Sequence, residues 1–105
     1  MEHELRVLFT EVERHVMPLV NSEAGTRFSR DESRVLALQG IHRLNQRIGF
    51  LARTNSKEMG EMKLLQTYVN NLTLGVKNDN TQQIRSALGS IRNIITTIEK
   101  SEKQE

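Results

Sequence analysis

The sequence predicts an all-α fold, a four-helix up-down bundle, and three observations carry that prediction. Apolar residues recur at alternating steps of three and four in four separate segments. Polar, turn-forming stretches separate those segments, and the apolar set is almost wholly aliphatic. With no Trp, one Tyr (Tyr68) and three Phe (Phe9, Phe28, Phe50), the chain suits helix-on-helix packing better than a sandwich or barrel. A chain of 105 residues is the size of one domain, read as residues 1–100 followed by a frayed tail at 101–105.

The first helix rests on Leu5, Phe9, Val12, Val16 and Leu19, which one face of an α-helix brings into a single stripe. Pro18 lies inside that pattern. It lacks an amide hydrogen and crowds the preceding turn, so a kink or a helix end is expected near it. Asn21 to Ser29, with Gly25, reads as a loop, and Ser29-Arg30-Asp31-Glu32 has the pattern of a capping box. The second helix follows on Ala37, Ile41, Leu44, Ile48 and Leu51. Asn55-Ser56 breaks it, with Ser56 as the N-cap of the third.

The third helix carries Met62, Leu65, Val69, Leu72 and Val76, and the fourth Ile84, Leu88, Ile91, Ile95 and Ile98. Between them Lys77-Asn78-Asp79-Asn80 is the clearest turn, and Asn80-Thr81-Gln82-Gln83 offers a second capping box. The helices are thus expected at about 2–20, 30–54, 57–77 and 81–100. Short connections favour antiparallel neighbours. Heptads alone do not separate a monomeric bundle from helical hairpins completed by dimerisation.

Chemistry finds little to work with. Without Cys there is no disulfide, thiolate metal site or cysteine nucleophile. A di-iron bundle needs Glu-x-x-His pairs, and no Glu precedes a His by three; Glu11 and His15, four apart, read as a surface contact. The serines occupy loops, caps and the last helix, outside any nucleophile elbow, and no glycine-rich phosphate loop exists. The expectation is no catalytic, metal or cofactor site.

Charge is unevenly spread although the net is only +2. Residues 1–26 carry Arg6 and Arg14 against Glu2, Glu4, Glu11, Glu13 and Glu23. Residues 27–57 carry six Arg and Lys57 against Asp31 and Glu32. An acidic first helix therefore precedes a basic second one. No apolar run approaches the roughly 20 residues that span a bilayer, and Glu2-His3-Glu4 is unlike a signal peptide. A cytoplasmic setting without membrane contact is expected.

One feature is left over. At about 100° per residue, Leu36, Arg43, Arg47 and Phe50 share a side of the second helix away from its core stripe, with Gly40 at the edge. Arginine beside an aromatic is a composition enriched at protein interfaces. The competing reading buries Leu36 and Phe50 under neighbouring helices and pairs the arginines with acids of the first. The sequence thus points to a small non-enzymatic interaction protein: an adaptor, regulator or chaperone-like bundle of bacterial or phage type, binding another protein or a second copy as a homodimer. The alternative is a nucleic-acid-associated protein using the basic 27–57 segment.

Overall fold

A computed structural model of the chain describes residues 3–20, 30–54 and 59–103. Among these the chain forms α1 (His3–Val20), α2 (Arg30–Thr54), α3 (Met59–Lys77) and α4 (Thr81–Lys103), and no strand. All twenty stripe residues named above are buried, and they form one cluster with Ala87. Because the four stripes close on one another within a single chain, the architecture is the four-helix bundle. The alternative of hairpins completed by a second chain is set aside for that reason. α4 runs on to Lys103, and no Gly or Pro follows Ile98 to stop it.

Neighbours follow chain order in a closed ring, α1 to α2 to α3 to α4 and back to α1. Their antiparallel sense is visible in side-chain pairs. Arg6 meets Glu99, Glu13 meets Arg92, and the Val20 carbonyl accepts from Arg85, a ladder with seven residues per rung on both helices. Along α1 and α2, Glu4 meets Arg47 and Glu11 meets Arg43.

The α3–α4 turn shows why this sequence stops one helix and starts the next. Asp79 takes a left-handed conformation, φ 55°. The Asn80 amide then reaches back to the Gly75 carbonyl at 2.9 Å and the Asp79 amide to Val76 at 3.3 Å, the two bonds of a Schellman motif. Asn80 immediately caps α4, its Oδ1 accepting from the Gln83 amide at 3.1 Å. Only half of the expected capping box forms here, since the Asn80 amide is already taken by α3. Described α1 ends at Val20, two residues past Pro18. Ser29 and Ser56, read as N-caps, lie outside the described residues.

Two glycines mark where backbones come close. A Cβ on Gly40 would stand 3.2 Å from Val12 Cγ2 at the α1–α2 crossing. One on Gly75 would stand 3.0 Å from Ile84 Cγ1 and 3.1 Å from the Ile84 nitrogen.

Candidate functional site

The remaining face of α2 runs along its α1 side and outward. Leu36 is half-buried, Arg43 exposed and Arg47 half-buried, while Phe50 keeps 47% of its surface in solvent. The four residues are therefore neither wholly packed away nor a free patch. Arg47 Nε lies 3.0 Å from Glu4 Oε2, although the N–H does not point along that line, so the contact is one of charge rather than an aligned hydrogen bond. Arg43 Nη2 stands 3.9 Å from Glu11 Oε2. The pairing of these arginines with first-helix acids is thus present, and the burial of Phe50 is not.

Arg47 also stacks on Phe50, its guanidinium carbon 5.1 Å from the ring centroid. Such a contact contributes about 0.5–1 kcal/mol at an exposed site. It turns one residue into a link: Glu4 holds Arg47, and Arg47 lies over Phe50. The ring lies beside Arg47 with about half of its surface exposed.

Sequence reasoning did not single out Val35, yet it is 54% exposed on the same helix. It lines two shallow depressions. One, of about 400 Å³, is bounded by Asp31, Glu32, Val35 and Leu36; the next, of about 420 Å³, includes Leu38, Gln39 and His42. Val35 lies off the core stripe of its helix, as do the exposed Val7, Leu64 and Leu74 of α1 and α3.

A cleft of about 410 Å³ between α3 and α4 is lined by Tyr68, Asn71, Gln83, Ser86 and Ser90 among others, none of them ionic. It supplies no base to activate a hydroxyl and no ligand set for a metal. Among the described residues no three His, Cys, Asp or Glu side chains gather where a metal could bind. No helix there is long and apolar enough to cross a membrane.

Three of the described cations of the basic segment face carboxylates. Arg34 lies 3.4 Å from Asp31 and 3.9 Å from Asp79, and Arg43 and Arg47 face α1 carboxylates as above. Phosphate binding rewards cations gathered on one accessible face, and these three are distributed over two flanks of α2. The chain matches no family model, no curated protein and no solved structure.

Proposed function

We propose that this is a small non-enzymatic interaction module, of adaptor, regulator or chaperone-like type, which binds another protein through the outer face of α2. The observation that carries the reading is Phe50: a large aromatic, half in solvent, held in place by Arg47 on a bundle whose core stripes are otherwise full. Aromatic and arginine side chains supply most of the energy at interfaces, because they bury large area and direct their bonds. The ion pairs behind them are partly exposed and contribute about 0–1 kcal/mol each. Arg43 and Arg47 can therefore exchange Glu11 and Glu4 for a partner's carboxylates at little cost.

The reading places the module in the cytoplasm of a bacterium or in a phage-infected cell, working without metal or cofactor. It is tested by capture from native lysate with and without nuclease. The expected result is a nuclease-insensitive partner, lost on Phe50→Lys and little affected by moderate salt. Capture that disappears with nuclease and weakens steeply with salt and with Arg43→Glu would overturn it in favour of nucleic-acid binding.

A further inference from the structure

The outer face of α2 is complementary to itself when a second copy runs antiparallel across it. From Val35, steps of 4, 3, 4, 3 and 4 lead through Gln39, His42, Gln46 and Gly49 to Arg53, and Glu32 stands three residues before Val35. This seam lies on the side of α2 away from the core; Val35 is its one apolar side chain, and Phe50 flanks it.

The order of residues along the seam reads as its own complement. Reversing α2 about a two-fold axis between His42 and Arg43 sets Phe50 opposite Val35, Gln46 opposite Gln39 and Arg53 opposite Glu32. The exposed ring of Phe50 then meets the depression bounded by Val35, Leu36, Asp31 and Glu32 on the second copy. Apolar knob and apolar hollow sit fifteen residues apart on one helix, roughly 22 Å, so a two-fold pairing fills both hollows at once. At each end of the seam a cation faces acids, Arg53 against Glu32 and Asp31, all exposed. Isologous interfaces have this form, with residue i meeting j and j meeting i.

Arg43 lies close to the axis, where like charges would meet, but its guanidinium is turned toward Glu11.

Resting on the reading of α2 as the binding face, we infer that its partner is a second copy of this chain, in an antiparallel dimer whose two-fold axis passes between His42 and Arg43. One helix face is small against the about 1,200–2,000 Å² of a standard stable interface, so the dimer is a micromolar or weaker one. The test is sedimentation equilibrium of the full chain from about 1 µM to about 1 mM. The wild type is expected to pass from monomer to dimer in that range. Phe50→Ala should raise the dissociation constant about tenfold or more. Glu32→Arg and Arg53→Glu should each weaken the dimer, and their combination should recover it.

Register has its own readout, because the chain has no cysteine. His42→Cys should cross-link to itself on oxidation, whereas Phe50→Cys, far from the axis, should not. A monomer at every concentration, a dimer indifferent to Phe50→Ala, or a cross-link at Phe50→Cys instead of His42→Cys would each overturn the proposal. If the chain stays monomeric while lysate capture still depends on Phe50, self-pairing falls and the binding-face reading stands. If neither depends on Phe50, both fall.

Discussion

Where α3 meets α4 the two backbones approach until a methyl group added at Gly75 would stand 3.0–3.1 Å from Ile84, and the turn satisfies the Gly75 and Val76 carbonyls and the Gln83 amide. Along α1 long charged side chains also reach across to the neighbours from both flanks, beside the close approach of α1 and α2 at Gly40 and Val12. Arg6 donates to Glu99 at 2.7 and 3.2 Å and to Thr96 at 3.1 Å, and Arg92 meets Glu13; on the other side Arg43 and Arg47 reach Glu11 and Glu4. α1 and α4 also make the sparser contact of the four neighbouring pairs. The difference separates two jobs. Close packing supplies energy and sets the spacing of the hairpin, while exposed charge pairs contribute little energy and select which faces lie side by side. It also bears on function, since the arginines of the α2 face belong to the seam that is cheaper to rearrange.

The largest test of this contrast is at the glycines. Gly75→Ala should destabilise the chain by about 1–3 kcal/mol, because the new Cβ meets backbone and cannot be accommodated by a rotamer change. Gly89→Ala, with nothing within 4 Å of the added group, should stabilise it by about 0.5–1 kcal/mol. Opposite signs in urea unfolding would confirm that approach, not residue type, governs the hairpin; equal signs would refute it. Next in size, Asn80→Ala removes the acceptor for the Gln83 amide and should cost about 1 kcal/mol.

The smallest effect belongs to the charged seam. A double-mutant cycle on Arg6 and Glu99 should return a coupling of about 0.5–1 kcal/mol that shrinks with added salt. Its hydrogen bond to Glu99 holds the Arg6 guanidinium above its ordinary range, outweighing the opposing effect of burial. A raised folded pKa means the stabilisation is complete below the unfolded value and is lost only as pH rises through the folded one. The cycle should therefore return the same coupling at pH 7 and pH 10, both of which lie well below the range in which an arginine guanidinium loses its proton. A coupling much above the glycine effect would mean that charge, not packing, holds α1.

The fold was legible because helical burial repeats with a fixed period: Leu5 through Ile98 could be assigned to four stripes before any neighbour was known, and all twenty are buried. The turn at Asp79 and Asn80 was equally readable from local chemistry, apart from the amide that α3 claimed. The candidate site was legible only in part. A helical wheel places Leu36, Arg43, Arg47 and Phe50 on one side, but it does not say which helix lies there. Val35 was overlooked because it falls outside that group of four.

By itself, then, the sequence determined four amphipathic helices, their breaks and an acidic segment ahead of a basic one, since each of these depends on residues near one another along the chain. Only the tertiary structure decided that α1 lies against the arginine side of α2. That choice put Glu4 and Glu11 within reach of Arg47 and Arg43 and left Phe50 and Val35 in solvent. The reason is geometric: side-chain period sets which face of a helix is buried, whereas the placement of its neighbours around that face depends on how all four helices close at once.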